Sequence, residues 1–260
     1  MRVLVTGGAS GIGKAIAQRI LSDYGSDARV ALMDRPGAVL DGAVDEMNQG
    51  RGQVIGAGGD LADSTVPERV VQDVATAFGG LDAVVSNAGI NSPGAMLTCK
   101  VEDWDRVFAV NTRAAWLLAK AAHPMLKESG GTIVIVASMS GSNPHANLGP
   151  YGPSKAAAIM LTKVLAQEFG PDGIRVNSLS PGMVRTGMTE KVYQDNEVSA
   201  GRAALVPLGR VAETDDMADA TAFLLSSDSR YLTGHDLVVD GAVTGNHLGR
   251  LPGLSSITSG

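Results

Sequence analysis

The chain alternates short apolar runs with longer stretches in which apolar residues recur every three or four positions. The apolar runs predict seven strands, at Val3–Thr6, Arg29–Met33, Val54–Ala57, Ala83–Ser86, Thr132–Ala137, Val176–Leu179 and Leu237–Val239. The periodic stretches predict helices at Gly13–Tyr24, Val39–Gln49, Val66–Phe78, Val101–Glu128, Tyr151–Phe169 and Thr214–Ser226. Because the strand runs are apolar on consecutive residues, we expect strands that are buried on both faces.

The alternation of strands and helices also predicts how the chain is arranged. Right-handed crossovers between successive strands give a parallel sheet with helices on both faces. A chain of 260 residues that is 44% hydrophobic is long enough for one large core. We therefore expect one doubly wound α/β domain over residues 1–243, with about seven strands. Residues 244–260 lack periodicity, which predicts a tail that is either frayed or packed on a neighbouring subunit.

Charge and cysteine content narrow the classes of partner. The formal net charge is −6 and lysines and arginines are not clustered, so we expect no nucleic-acid partner. A single cysteine, Cys99, cannot form an intrachain disulfide, and no apolar run reaches membrane-spanning length. The first strand begins directly after Met1, leaving no room for a signal peptide. We expect a cytoplasmic protein that does not bind membranes.

A glycine-rich segment connects the first strand to the first helix. Its glycines, Gly7, Gly11 and Gly13, permit a tight turn whose backbone N–H groups approach a pyrophosphate at the helix N-terminus. Asp34 ends the second strand, where a carboxylate accepts hydrogen bonds from a ribose and repels a 2′-phosphate. This favours NAD over NADP, although the adjacent Arg35 could hold that phosphate and keeps NADP open.

Tyr151 and Lys155 are spaced to share one face of a helix. A positive charge ~6 Å from a phenol, at an effective dielectric constant of ~20, favours the phenolate by ~3 kcal/mol. Since an ordinary phenol has a pKa near 10, we expect Lys155 to lower the pKa of Tyr151 and make it a usable acid and base. The same spacing also occurs in helices where the tyrosine only packs and the lysine is solvated.

Taken together, these motifs resemble the short-chain dehydrogenase/reductase family over about the first 240 residues. The glycine spacing Thr6-Gly7-x-x-x-Gly11-x-Gly13 and the Tyr151-x-x-x-Lys155 pair are the most specific features. Further segments occur in the family's order, namely Asp60-Leu61, Asn87-Ala88-Gly89, Asn111, Ser138, Pro181–Thr186 and Val239-Asp240-Gly241. The resemblance implies a Rossmann-type fold and a homotetramer, and the apolar run Ala114–Ala119 would suit a subunit interface.

The resemblance implies a bound nicotinamide cofactor, which Asp34 predicts to be NAD. No cluster of His, Cys or carboxylates in the sequence suggests a catalytic metal. The implied cofactor-binding residues are Gly7, Ser10, Gly11, Ile12, Gly13, Asp34, Asp60, Leu61, Asn87, Ala88, Gly89, Tyr151, Lys155, Pro181, Gly182, Val184 and Thr186.

The implied catalytic residues are Asn111, Ser138, Tyr151 and Lys155. Tyr151 would exchange a proton with the substrate oxygen and Ser138 would donate a hydrogen bond to it. Lys155 would bind the nicotinamide ribose and lower the pKa of Tyr151, and Asn111 would hold a water that connects Lys155 to solvent.

The substrate is the least determined part of the prediction. By the same resemblance the pocket draws on Asn91–Met96, Ser140–Leu148 and a lid from Met183 to about Val206, with His145 as one candidate contact. We expect an NAD-dependent dehydrogenase of a secondary alcohol, cyclic alcohols included. An NADP-dependent reductase of 3-oxoacyl thioesters and a non-catalytic cofactor-binding protein are the alternatives.

Overall fold

The structure, a computed structural model, describes residues 1–50, 52–187 and 189–246. In this part of the chain seven parallel strands form one sheet in the order β3-β2-β1-β4-β5-β6-β7. The strands are β1 (Arg2–Thr6), β2 (Arg29–Asp34), β3 (Gln53–Gly58), β4 (Ala83–Ser86), β5 (Thr132–Val136), β6 (Arg175–Pro181) and β7 (Asp236–Val239). All seven predicted strands are therefore confirmed, as is the doubly wound α/β fold.

Helices cover both faces of this sheet. They are α1 (Gly11–Tyr24), α2 (Ala38–Met47), α3 (Val66–Phe78), α4 (Val101–Phe108), α5 (Ala114–Ser129), α6 (Tyr151–Phe169), α7 (Glu190–Tyr193), α8 (Asn196–Leu205) and α9 (Thr214–Leu225). None of the helices in the described ranges is long and apolar enough to cross a membrane.

The prediction of one continuous helix over Val101–Glu128 was wrong in one respect. A π-helical turn, Ala109–Arg113, separates α4 from α5. A π turn has i→i+5 hydrogen bonds and hence one more residue than an α turn, which apolar periodicity does not reveal. The predicted lid also contains two helices, α7 and α8, that the sequence pattern did not indicate.

The sheet separates two apolar cores. Ile16 and Ile20 of α1 and Met217 of α9 pack in the core on one face. On the other face, Leu118 of α5 and Leu165 of α6 pack in the second core. Because each face is covered, every residue of the central strands β4 and β5 is buried, whereas the edge strands β3 and β7 stay partly exposed.

The order of the strands fixes where a ligand can bind. The sequence order of the sheet reverses between β1 and β4, so the connections after these strands diverge to opposite faces. Ligands of open α/β sheets bind in the crevice at this point, beyond the carboxyl ends of the strands. The glycine turn follows β1 and Asn87 follows β4, which places both at the crevice.

Candidate active site

A cleft of about 1040 Å³ lies along the carboxyl ends of the strands. Nearly all the predicted site residues line it: Gly7, Ser10, Gly11, Ile12, Asp34, Asp60, Leu61, Asn87, Ala88, Gly89, Ser138, Tyr151, Lys155, Pro181, Gly182, Val184 and Thr186. Gly13 and Asn111 do not line the cleft, since Gly13 packs beneath the glycine turn and Asn111 lies behind the loop at Ile90.

Close backbone packing holds the glycine turn against β4. A methyl group on Gly13 would lie 2.1 Å from the carbonyl oxygen of Gly7, so only glycine fits there. Gly7 has a φ of 63°, a conformation that glycine adopts at no steric cost. The side-chain amide nitrogen of Asn87 donates to the Thr6 carbonyl oxygen at 3.0 Å. The hydroxyl of Thr6 accepts from the backbone N–H groups of Asn87 and Ala88. This tight turn at the start of α1 fits a pyrophosphate.

Carboxylates lie at the end of the cleft next to β2 and β3. Asp34 accepts hydrogen bonds from the N–H groups of Ala9, at 3.3 Å, and of Arg35, at 2.8 Å. Asp60 accepts from the N–H of Ala62 and pairs with Arg106 at 3.1 Å, and both contacts hold the pKa of Asp60 below its usual value. A carboxylate on the turn side of β2 fits the ribose hydroxyls of an adenosine.

Ser138, Tyr151 and Lys155 meet in the middle of the cleft. Tyr151 and Lys155 lie on the first turn of α6, and the ammonium nitrogen is 5.7 Å from the phenol ring centre. Ser138 follows β5 and its hydroxyl is hydrogen-bonded to the Tyr151 side chain. The predicted proximity of these three side chains is confirmed.

The predicted direction of the Tyr151 pKa shift was wrong. Burial raises the pKa of Tyr151, because the phenolate would lose hydration, and the hydrogen bond with Ser138 only opposes that effect. The Lys155 ammonium is itself buried and donates to the carbonyl oxygen of Val136 at 2.7 Å. Its own burial lowers the pKa of Lys155 to about 8.

Asn111 occupies the centre of the π turn and connects three parts of the site. Its oxygen accepts from the N–H of Ile90 at 2.9 Å, and its amide nitrogen donates to the carbonyl oxygen of Ile90 and to the hydroxyl of Ser154. Ser154 in turn donates to the carbonyl oxygen of Tyr151 at 2.7 Å. Asn111 thus holds the backbone of Tyr151 in place through Ser154.

Ser154 belongs to this hydrogen-bonded cluster, and the sequence analysis did not identify it. It is fully buried immediately before Lys155, and its hydroxyl bridges Asn111 and Tyr151. A small polar residue on the inward face of an apolar helix was the only available indication. Asn111 and Lys155 also border one small space, since a methyl group on Gly89 would lie 3.3 Å from the lysine nitrogen and 3.5 Å from the Asn111 oxygen.

The segment after β6 covers the cleft from the other side. The N–H of Gly182 donates to Val239 at the end of β7, and a methyl group on Gly182 would lie 2.6 Å from Asp240. Thr186 lies across from the glycine turn, 3.8 Å from the position of a methyl group on Gly11. This segment therefore encloses the centre of the cleft, where a nicotinamide ring fits.

The predicted substrate segments contribute only some of their residues to the cleft. The contributing residues are Asn91, Ser92, Ser140, His145, Leu148, Met183, Val184, Thr186, Gly187, Thr189, Tyr193, Arg202 and Leu205. Met188 and the tail from residue 247 onward lie outside the described residues. No group of three or more His, Cys, Asp or Glu side chains in the described ranges is arranged to hold a metal ion.

Known proteins resemble this chain over most of its length. The sequence profile of a family described as enoyl-(acyl carrier protein) reductase matches residues 7–244. Dehydrogenase/reductase SDR family member 4 of Homo sapiens is 36% identical over 241 residues, covering 92% of this chain and 85% of the relative. The (3R)-3-hydroxyacyl-CoA dehydrogenase of Rattus norvegicus is 37% identical over 250 residues, covering 92% and 95% of the two chains.

Solved structures show the same fold. Levodione reductase superposes with a TM-score of 0.86 at 28% identity, covering 94% of this chain and 97% of that structure. A short-chain type dehydrogenase/reductase from Mycobacterium marinum superposes with a TM-score of 0.84 at 35% identity, covering 94% and 95%. With the glycine turn, Ser138, Tyr151 and Lys155 gathered in one cleft, the chain belongs to the short-chain dehydrogenase/reductase family of nicotinamide-dependent oxidoreductases.

Proposed function

We propose that the protein is an NAD-dependent dehydrogenase that interconverts a secondary alcohol and its ketone. The observation that carries the proposal is the meeting of Ser138, Tyr151 and Lys155 in one cleft with the glycine turn. When bound there, the nicotinamide accepts hydride from the alcohol carbon or returns it to the ketone.

We assign a separate part of the proton transfer to each side chain of the site. Tyr151 takes the alcohol proton during oxidation and returns it during reduction. The hydroxyl of Ser138, which lies next to Tyr151, turns its proton to the substrate oxygen and stabilises the negative charge that develops there. Lys155 has a pKa of about 8, so it carries its charge at neutral pH and stabilises the phenolate that forms beside it. Asn111 and Ser154 hold the tyrosine backbone in place.

The preference for NAD rests on Asp34. Its carboxylate is fixed by two backbone N–H groups at the edge of the cleft, where it would repel a 2′-phosphate. Arg35 also lines the cleft and would attract the same phosphate, whereas Arg106 is already paired with Asp60. The fixed position of the carboxylate favours NAD.

The second candidate is a dehydrogenase or reductase of 3-hydroxyacyl or 3-oxoacyl thioesters. It is favoured by the similarity to the (3R)-3-hydroxyacyl-CoA dehydrogenase of Rattus norvegicus. Both candidates use the same hydride and proton transfers and differ in the group attached to the reacting carbon.

The test is a panel of secondary alcohols, ketones and 3-hydroxyacyl thioesters, run with NAD and NADP and followed by NADH absorbance. We expect Tyr151→Phe to lower kcat by at least about a hundredfold, the usual contribution of an acid–base residue, while NADH binding stays nearly intact. Tyr24→Phe, which changes an exposed tyrosine at the end of α1, is the matched control.

Three results would contradict the proposal. Wild-type turnover by Tyr151→Phe would remove Tyr151 from the reaction. Higher activity with NADP than with NAD would contradict the role given to Asp34. Tight NADH binding without turnover of any compound in the panel would favour a non-catalytic protein.

A further inference from the structure

Arg202 lies at the lid end of the cleft and is held there by Tyr193. It belongs to α8, lines the cleft and is partly buried. Its guanidinium carbon is 5.4 Å from the centre of the Tyr193 ring, and one of its N–H groups donates to the tyrosine hydroxyl at 3.4 Å. The ring is only 5% exposed and also has Arg185 at 5.4 Å. Arg202 is thus a positioned cation.

The charge of Arg202 is not neutralised by any carboxylate in the described part of the chain. The ion pairs found there involve other basic side chains, such as Arg106 with Asp60. The carboxylates that line the cleft are Asp34, Asp60 and Asp103. Asp34 and Asp60 lie at the β2–β3 end, and Asp103 is one helical turn from Arg106 on α4. Among the described residues that line the cleft, the lid end therefore holds Arg202 and no carboxylate.

We propose that Arg202 binds an anionic oxygen group of the substrate, a carboxylate or a phosphate. The inference rests on the proposed function, because it takes the substrate to fill the space between Tyr151 and the lid. A guanidinium forms charge-assisted, often paired, hydrogen bonds with such groups. Because Tyr193 already fixes the side chain, little conformational entropy is lost when the anion binds.

This role differs from a purely structural role for Arg202 in a measurable way. An arginine that only stacks on Tyr193 to order the lid would affect every substrate to the same degree. An arginine that contacts the substrate would affect only substrates with a negative charge at a suitable distance. The ratio of kcat/KM between charged and neutral substrates of equal length separates the two.

The experiment compares secondary hydroxy acids, in a series that varies the spacing between alcohol and carboxylate, with their neutral methyl esters. A second arm compares a 3-hydroxyacyl-CoA with the matching pantetheine thioester, which lacks the phosphates. Each pair is measured with the wild-type enzyme and with Arg202→Gln, Arg202→Lys and Lys191→Gln. Lys191 is an exposed lysine of α7 outside the cleft, so Lys191→Gln removes one charge from the same lid.

We expect the wild-type enzyme to favour the charged member of one pair. Arg202→Gln should then lower kcat/KM for that member by about tenfold or more, the loss expected for one charge-assisted hydrogen bond, and leave the neutral member nearly unchanged. Arg202→Lys should retain part of the preference, because it keeps the charge but loses the paired geometry. A preference in the first arm identifies a carboxylate, and in the second arm a phosphate.

Equal effects of Arg202→Gln on charged and neutral substrates would overturn the inference and leave the proposed function intact. If Arg202→Gln does not fold, the wild-type ratio of kcat/KM between charged and neutral substrates still decides. A wild-type enzyme that prefers none of the charged substrates would contradict the inference. Absence of turnover with every alcohol, esters included, would defeat the proposed function and this inference with it.

Discussion

Lys155 is, among the described residues, the only lysine or arginine that the fold buries. The sequence alone predicted its proximity to Tyr151, because four-residue spacing on a helix brings side chains together. It could not predict the direction of the Tyr151 pKa shift, which depends on how much solvent the surrounding segments exclude. Here the exclusion of solvent is the largest influence on the pKa of both Tyr151 and Lys155.

The lowered pKa of Lys155 predicts a pH dependence of stability. Between about pH 8 and 10.5 the unfolded chain keeps the lysine proton that the folded protein has lost, so the free energy of unfolding rises with pH. Over this pH window the free energy of unfolding of the wild type should rise by about 3 kcal/mol relative to that of Lys155→Met. Urea denaturation at several pH values measures the difference. Lys163→Met, at an exposed position on the same helix, controls for the loss of one charge. If the free energies of unfolding of the wild type and Lys155→Met differ by the same amount at every pH, the prediction is contradicted.

At the scale of elements, the sequence predicted the glycine turn more completely than the lid. The strand before the turn, the helix after it and the glycines between them are all local in the chain, so their spacing determines the geometry. The lid helices α7 and α8 are short, and α8 has no buried residue among its members. Without a buried apolar face, a helix leaves little periodicity in the sequence. For this reason Tyr193 and Arg202 became recognisable as a pair only in the structure.

The glycine turn gives a prediction with a matched control inside a second helix. Gly13→Ala would place a methyl group 2.1 Å from the Gly7 carbonyl oxygen, so α1 must move away from the turn. We expect a loss of about 2 kcal/mol or more of stability and much weaker NADH binding. Gly42→Ala in α2 meets nothing within 4 Å and should be stabilising by about 0.5–1 kcal/mol. Thermal unfolding measures the stability of the two variants, and NADH titration measures their cofactor binding. Equal behaviour of the two variants would refute the packing argument.

At the scale of the whole molecule, the sequence predicted the sheet and its crevice, whereas most of the run suggested as a subunit contact lies in the core. Four residues of the run Ala114–Ala119 pack in the core, and Trp116 is the one exposed side chain, at 46%. A run of small apolar residues fits an interface or a tightly packed core equally well, and only the direction of the helix decides. On α6, Met160 and Val164 are exposed apolar side chains, at 58% and 42%.

We propose a homotetramer in which subunits meet through the exposed apolar side chains of α5 and α6. Light scattering should then give about four times the chain mass of 26.6 kDa. The double variant Met160→Glu/Val164→Glu should have a lower mass, because charges in an apolar contact lose hydration. Val39→Glu, at an exposed valine of α2, should leave the mass unchanged. A wild-type mass equal to one chain would exclude the tetramer.

The π turn at Ala109–Arg113 has a consequence for how this enzyme can change over evolution. A π turn contains one residue more than an α turn, so loss of a single residue there would convert α4 and α5 into one regular helix. Such a deletion would improve the helical hydrogen bonding yet remove Asn111 from Ile90 and Ser154. Loss of these contacts would leave the buried hydroxyl of Ser154 without its donor, a cost that offsets the regained helical hydrogen bonding. The segment therefore cannot shorten to a regular helix without dismantling the contacts of Asn111.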